Sequence, residues 1–533
     1  MSALATAINT TWMVSCRRER RRFHDATLDL AGTQRAVLAE IVGADGTSAF
    51  GRDHGLHPAC SYELFAEQVP VATYADLSPY LDRIAAGEHG VLTTDRVRLL
   101  QPTSGSTGGR KLIPYTRTLQ RLLQRTIAAW IGDLFAGRAA VRRGRAYWSI
   151  SPAFVPEPTT AGGLRIGFAD DTEYLSGPER LAVRRVLAVP PDVTDSGSVV
   201  AFRRQTLAHL VTTPDLALIS VWSPTFLLAL VDELLTATDE VVDRAATLDP
   251  DRADRARRIL GSAGEPSERV AALWPRLALI SCWADGSSAA FIPRVEALFP
   301  TVELQPKGLL ATEAFTSFPL LDRDGAALAA RSHFFEFAPA DGDARPPTGR
   351  SLLLGHQLSV GGRYKPVVTT GGGLWRYLID DVVEVVGHEG QCPLLRFRGR
   401  AATSDLVGEK LDEAFVGEIL NRVVDGDALL APVGHGSAGD DRPPPSYVLL
   451  VDTSSCDPAT AARVDAELRA NPHYDYARRL GQLGPIELNV AAGTIAARYE
   501  RIMIERGVRV GDIKPACLVH DPEVAAALTG RAE

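Results

Sequence analysis

The chain reads as an α/β protein: a large N-terminal domain over residues 1–400, combining α/β layers with a β-rich subdomain, then a small α+β domain over residues 401–533. Three observations lead there. Between Thr116 and Gln305, short apolar runs alternate with segments of helical periodicity, the pattern of a substantially parallel sheet covered by helices. From His333 to Val386 the texture changes to brief strand-like runs joined by turns such as Asp341-Gly342 and Pro346-Pro347. Near Arg398–Ser404 a strand ends in Gly399-Arg400, and the small residues Ala401-Ala402-Thr403 form a hinge before about 130 further residues, a workable domain size.

The elements follow in order. Met1 to about Gly51 is helical, with Leu28, Leu30, Val37, Leu38 and Ile41 as an apolar stripe; Tyr74–Leu81 and Arg83–Ala86 are further helix. Nine residues, Thr103–Lys111, contain only Gly, Ser, Thr, Arg and Lys and lie between the strand-like runs Val97–Leu100 and Leu112–Tyr115. Thr116–Phe135 is a helix, since Leu119, Leu122, Leu123, Ile127, Trp130 and Ile131 recur at three-four spacing. Ala146–Ile150 reads as a strand and the Pro- and Gly-rich run Pro152–Gly167 as a long loop. Leu216–Val221 is a strand leading through Trp222-Ser223-Pro224 to a helix at Thr225–Leu235. The mixed charges of Asp251–Arg258 mark the solvated face of a helix. Leu277–Cys282 and Val302–Gln305 are strands with a helix at Pro293–Leu298 between them, and the β-rich part has strands at Phe334–Phe337, Leu352–Leu354, Val367–Thr369 and Val382–Val386. The last domain has a helix at Leu411–Val423, a flexible loop at Gly434–Ser446, a strand at Tyr447–Val451 and a helix at Pro458–Ala470.

Composition narrows the function classes. The formal charge, 57 − 65 = −8, leaves no global basic surface for nucleic acid and no polybasic tail for a membrane, so any anion site is local. Six scattered cysteines without a Cys-x-x-Cys pair argue against a disulfide framework or zinc site and fit a reducing cytoplasm. No apolar run approaches the roughly 20 residues of a membrane span. The Arg-rich run Arg17–Arg22 lacks the apolar core of a secretory signal.

Four stretches carry chemistry. In Gln101–Thr116, glycines Gly105, Gly108 and Gly109 let successive N–H groups turn inward while hydroxyls and cations surround them, a cradle for polyphosphate; Arg110 between Gly109 and Lys111 distinguishes it from a Walker loop. Lys307-Gly308-Leu309-Leu310-Ala311-Thr312-Glu313 follows a strand, and its Thr-Glu pair, better described in isolation as a helix cap, offers a hydroxyl and a carboxylate to a metal-bound nucleotide. Gly371–Asp381 pairs two carboxylates after a glycine turn, and one is suited to both hydroxyls of a ribose. Ser404–Glu413 opens the last domain with Lys410 on a turn, and Gly511-Asp512-Ile513-Lys514-Pro515 places a second lysine near the C-terminus.

Together, from about Gln34 to Leu518, these strings resemble the bacterial branch of the auxin-responsive Gretchen-Hagen-type acyl acid amido synthetases, within the adenylate-forming superfamily. The resemblance implies a large adenylate-forming domain that holds ATP and acid and a small mobile C-terminal lid. It implies an ATP- and Mg²⁺-dependent ligase that converts a carboxylic acid to an acyl-adenylate and passes the acyl group to an amine or amino acid. By the same resemblance Thr103, Ser104, Gly105, Ser106 and Thr107 hold phosphates, Ala311, Thr312 and Glu313 lie at the adenine and the metal, and Asp381 holds the ribose. Arg400 and Lys410 sit at the hinge and follow the nucleotide, Arg400 as a nucleotide-binding residue and Lys410 as a second catalytic lysine; Lys514 is the adenylation lysine, although Ile513 replaces the usual tyrosine. The acyl pocket is expected between the helix after the loop, Pro152–Gly167 and Trp222–Thr225, with Trp130, Trp222 and Thr225 in its wall; the same tryptophans at such spacing also suit a core.

The third string departs from the family pattern Tyr-Arg-Tyr-Arg-Leu-Gly-Asp: Leu378 stands for an arginine and Asp380 for the glycine before the ribose aspartate. Extra negative charge there weakens ATP binding unless Asp380 points away or meets a cation. Competing readings are acyl transfer to coenzyme A, a serine hydrolase built on Ser288 in Gly286–Ala290, and a non-catalytic nucleotide-binding relative. The expected partners are a carboxylic acid and an amine, with no nucleic acid or membrane, in a monomer or homodimer.

Overall fold

The structure, a computed structural model, describes residues 3–103, 111–148, 159–168, 171–175, 177–340, 352–400, 403–404, 406–407, 409, 411–434, 444–452, 457, 459–491 and 493–530. The N-terminal third starts with helices Ala3–Leu28 and Leu30–Asp45, the second capped by Asp29, whose carboxylate accepts from Gly32 N. Tyr74–Ala85 is one continuous helix rather than two, because Arg83 and Asp82 continue its exposed face. β1 (Val97–Pro102) and β2 (Leu112–Thr116) pair antiparallel, and Thr103 N donating to Lys111 O at 2.9 Å continues the ladder one step past the strand ends. Thr116 then caps the helix Arg117–Gly137 through its hydroxyl and Leu119 N.

β3 (Arg145–Trp148) continues the expected order, and β4 (Arg165–Ile166) pairs in parallel with β1, so the end of the Pro/Gly-rich run is a short strand rather than loop. β5 (Leu216–Ser220), β6 (Leu279–Cys282) and β7 (Glu303–Pro306) join β3 in an all-parallel sheet of order β3-β5-β6-β7. Helices cover both faces: Ile219 and Ile280 pack with Phe226, Leu230 and Val295, while Leu218 and Leu279 face Trp12, Ile131 and Phe135. Burial on both sides explains why the central strands β5 and β6 read as largely apolar runs.

β8 (Ser317–Pro319), β9 (Ala326–Leu328), β10 (Phe334–Pro339), β11 (Leu353–Leu354), β12 (Arg363–Thr369), β13 (Tyr377–Leu378), β14 (Asp381–Glu389) and β15 (Cys392–Arg400) build the β-rich part, ordered β11-β10-β12-β14-β15-β9-β8 with β13 beside β12. Its inner face packs Phe335, Phe337, Val368 and Val383 against Leu30, Val37, Leu38 and Ile41 of the second helix. β16 (Thr403–Ser404) and β17 (Leu411–Asp412) then pair as a small antiparallel ladder. Leu411 and Asp412 are strand and cap rather than helix; Asp412 accepts from Phe415 N and the helix runs Glu413–Val423.

β18 (Ala428–Val433), β19 (Ser446–Asp452) and β20 (Glu487–Ala491) form the C-terminal sheet, flanked by helices Glu413–Val423, Thr460–Leu468, Ile495–Glu505 and Pro522–Thr529. Alternation sends Tyr447, Leu449 and Val451 to one core and Val448 and Leu450 to the other. The flexible loop expected at Gly434–Ser446 falls largely outside the described residues. Among the described residues no helix is long and apolar enough to cross a membrane.

Candidate active site

The parallel sheet determines where the cleft opens, because ligands of open α/β sheets bind beyond the carboxyl ends of the strands. Trp222 lies just past the end of β5 and Trp283 just past β6, their ring centroids 5.7 Å apart, and Lys307 lies just past β7. Into this region come the ends of the β1–β2 hairpin (Gln101, Thr103, Lys111), the turn Leu310–Glu313, the segment Tyr377–Asp381 and, from the last domain, Arg509, Asp512 and Lys514. All line one cleft.

The Thr312-Glu313 pair caps no helix. Ala311 N donates to Ala314 O at 3.0 Å and Leu310 bridges Phe315, so the string is a tight turn that offers Ala311, Thr312 and Glu313 to the cleft. Burial raises the Glu313 carboxyl above its ordinary value of 4.5; Asp381 adds to the rise, while Lys111 and Lys514 oppose it. Those charges come from three separate parts of the chain and act on one carboxyl. Lys111 Nζ donates to Tyr377 OH at 3.4 Å, and Lys514 Nζ stands 5.4 Å over the Trp283 ring. Gln101 Oε1 and Thr103 Oγ1 are buried and have no hydrogen-bond partner among the described residues. Polar atoms left so at a cleft wall suit a polar ligand.

The third string divides by role. Trp375 and Arg376 are wholly buried: the indole stacks on Phe50 at 5.5 Å and donates to Leu92 O at 2.9 Å, while the guanidinium makes paired bonds of 2.8 and 2.7 Å to Glu336. Tyr377 to Asp381 face the cleft, with Asp381 buried at the start of β14 in register with Arg400 of β15. Leu378 is half-buried and Asp380 exposed at the rim.

Of the sequence-derived site residues, Thr103, Ala311, Thr312, Glu313, Asp381, Trp222 and Lys514 line this cleft. Ser104, Gly105, Ser106, Thr107 and Lys410 lie outside the described residues, as does the Arg400 side chain. Trp130 lines an adjoining apolar cavity with Trp222, whereas Thr225 lines neither and its hydroxyl shares a 2.6 Å hydrogen bond with Ser223. Thr225 is turned into the first turn of the helix Pro224–Thr236. Ser288 is buried in the short 3₁₀ turn Gly286–Phe291 and lines neither cavity. Sequence reasoning assigned no role to Tyr377 or Lys307 and gave Lys111 only a share in the cations of the loop; position within the quoted strings was the available signal.

The sequence signature of the GH3 family N-terminal domain matches residues 19–304, more than half of the chain. The chain belongs to the GH3 family. The GH3 family central domain matches residues 326–400 and the GH3 family C-terminal domain residues 434–523. Among its GH3 relatives, the indole-3-acetic acid-amido synthetase GH3.8 of Oryza sativa subsp. indica is 25% identical over 560 residues, spanning 95% of this chain and 91% of the relative. The indole-3-acetic acid-amido synthetase GH3.4 of Arabidopsis thaliana is 23% identical, spanning 92% and 89%. The fold superposes on the solved GH3.15 acyl acid amido synthetase with a TM-score of 0.80 at 19% identity, covering 96% of this chain and 95% of that one. A second structure of that protein, in complex with 2,4-DB, gives 0.81 at 19% identity, covering 97% and 96%.

Proposed function

We propose that this GH3 chain is an ATP-dependent acyl acid amido synthetase whose acid is an apolar, flat carboxylic acid and whose acceptor is an amine or amino acid. The observation that carries this reading is the convergence on one cleft of the polyphosphate-loop ends, the Ala311–Glu313 turn, Asp381 and Lys514, beside a cavity walled by Trp130 and Trp222. A carboxylate is a poor acyl donor, so its oxygen first attacks the α-phosphorus of ATP; the new C–O–P linkage forms as the α–β phosphoanhydride breaks and pyrophosphate leaves. The amine then attacks the acyl carbon, AMP departs with the C–O bonding pair, and the amine loses a proton.

This chain's residues supply position and charge. Lys514 and Lys111 offset the negative charge that develops on the phosphates. Asp381 is suited to accept from the ribose hydroxyls, and Trp283 and the Tyr377 ring border the nucleotide's space. The Glu313 carboxyl, with Asp381 near, fits a Mg²⁺ ion held chiefly by phosphates, since among the described residues no cluster of three or more His, Cys, Asp or Glu forms a metal cage of its own. When bound, that ion would supply further charge neutralisation.

We place the boundary between a domain of residues 1–400 and a lid of residues 401–533, which brings Lys514 to the cleft for adenylation and withdraws it when the acceptor enters. The free described cysteines fit a cytoplasmic location.

The test is acid-dependent exchange of labelled pyrophosphate into ATP across aromatic, aliphatic and indole acids, followed by product analysis with amino acids or coenzyme A. Exchange with one acid class, falling by about 10²-fold or more in Lys514→Ala, is expected. ATP binding without exchange for any acid would overturn the reading.

A further inference from the structure

Among the described residues, four carboxylates line the nucleotide cleft: Glu313, Asp380, Asp381 and Asp512. Three of them are occupied. Glu313 and Asp381 serve the metal and the ribose in the reading above, and Asp512, half-buried and two residues before Lys514, is engaged within the protein. Asp380 is exposed, and its carboxylate makes no hydrogen bond and no ion pair among the described residues. Its place is fixed from both sides: Ile379 N donates to Pro366 O at 2.9 Å before it, and Asp381 after it begins β14 in register with Arg400. Tyr377, Ile379 and Asp381 are buried, whereas Leu378 is half-buried and Asp380 exposed, so the alternation sets an apolar side chain and a carboxylate on the open side of the cleft. The charge also reaches the interior of the cleft. After burial and Glu313, Asp380 is the next cause that raises the Tyr377 phenol, the group to which Lys111 Nζ donates.

Adenylation has no use for this carboxylate, because a negative group beside the phosphates of ATP repels them. Asp380 lines the cleft instead of pointing away from it, and no cation among the described residues pairs with it. We propose that the cation arrives with the acceptor: the amine used by this chain carries a second positive charge, as a diamine or a basic amino acid does, and Asp380 receives that charge while Leu378 covers the hydrocarbon stem behind it. Once pyrophosphate has left, the open side of the cleft presents a carboxylate to an acceptor and no longer to a triphosphate. One amino group, deprotonated, attacks the acyl carbon; the second cation stays charged against Asp380 and takes no part in bond making. Asp380 is thus a specificity residue for the acceptor and rests on the ligase reading for its place in a reaction.

Direct binding keeps the two claims separate. Isothermal titration of the full chain saturated with AMP, and without any acid, would compare 1,5-diaminopentane with pentylamine and lysine with norleucine, pairs that differ in the second charge, in wild type, Asp380→Asn and Asp380→Lys. Wild type is expected to favour the doubly charged member of each pair by about fivefold or more at low ionic strength. Asp380→Asn, which keeps the shape of an exposed side chain, should bring that preference to about twofold or less with AMP affinity within about twofold of wild type, and Asp380→Lys should reverse it. Equal affinities in wild type, binding of neither member, or a preference that survives Asp380→Asn would overturn the inference; a surviving preference together with a changed ATP or Mg²⁺ requirement in pyrophosphate exchange would assign Asp380 to the nucleotide. Exchange run alongside separates the claims: exchange with an acid but no preference between amines sinks the inference and leaves the ligase, whereas preference without exchange for any acid does the reverse.

Discussion

Arg376 occupies the left-handed region at φ 41°, where a long side chain is strained, and the protein holds it there with bonds on every side. Glu336 takes Nε and one terminal nitrogen, Ala66 O and Val69 O accept from the other at 2.9 and 2.6 Å, and the backbone N donates to Thr369 Oγ1 at 3.0 Å. The purpose is positional: a clamped Arg376 fixes where Tyr377 and Asp381 enter the cleft. Arg376→Leu leaves Glu336 buried without its counter-charge and is expected to destabilise the chain by about 3–5 kcal/mol, read as a lower urea midpoint at unchanged slope. The arginine was visible in the sequence as part of a string, but its burial was not, since Glu336 lies forty positions away and no local pattern links the two. The same holds for Asp380: it is exposed where it lines the cleft, and only the turn into β14 determines that exposure.

Gly308 is the hinge between β7 and the Leu310–Glu313 turn, and it shows an element depending on one backbone conformation. Its φ is +76°, and a Cβ there would stand 2.8 Å from both Ala326 Cβ and Ser317 O, so neither strain nor collision can be avoided. Gly308→Ala is expected to cost about 1 kcal/mol or more and to raise KM for ATP, because the turn carrying Ala311, Thr312 and Glu313 shifts with it. Urea unfolding together with ATP-dependent pyrophosphate exchange checks both parts; an unchanged KM would separate the turn from the nucleotide. Most elements were legible because periodicity is local: the helix after the loop and the strands β5, β6 and β7 came out within a few residues of their observed bounds. Failures cluster where tertiary context overrides local pattern. Leu411 and Asp412 carry a helical pattern but are drawn into a ladder by Thr403 and Ser404, and Thr312-Glu313 has the look of a cap with no helix to serve.

At the scale of the molecule, the C-terminal domain is seated so that Lys514 reaches the cleft. Arg203 of the helix Val199–Val211 donates to Glu500 Oε2 at 2.6 Å, Ser287 Oγ donates to Pro515 O at 2.6 Å, and Arg509 donates to Phe168 O. Arg203→Glu is expected to lower pyrophosphate exchange by about 10-fold through loss of this seating, and Arg203→Glu combined with Glu500→Arg to recover most of it; a double variant no better than the single would remove the ion pair from the argument. Sequence by itself determined the α/β class, the parallel order of strands and helices and the strings that define the family, because periodicity, turn chemistry and motif spacing are written within a few residues of one another. Only the tertiary structure decided that Lys111, Glu313, Asp381 and Lys514 share one cleft, that Arg376 is scaffold, and that Trp130 and Trp222 wall an adjoining cavity. Those relations depend on the register of adjacent strands and on the docking of a distant domain, both set by burial of surfaces that no single stretch of sequence contains.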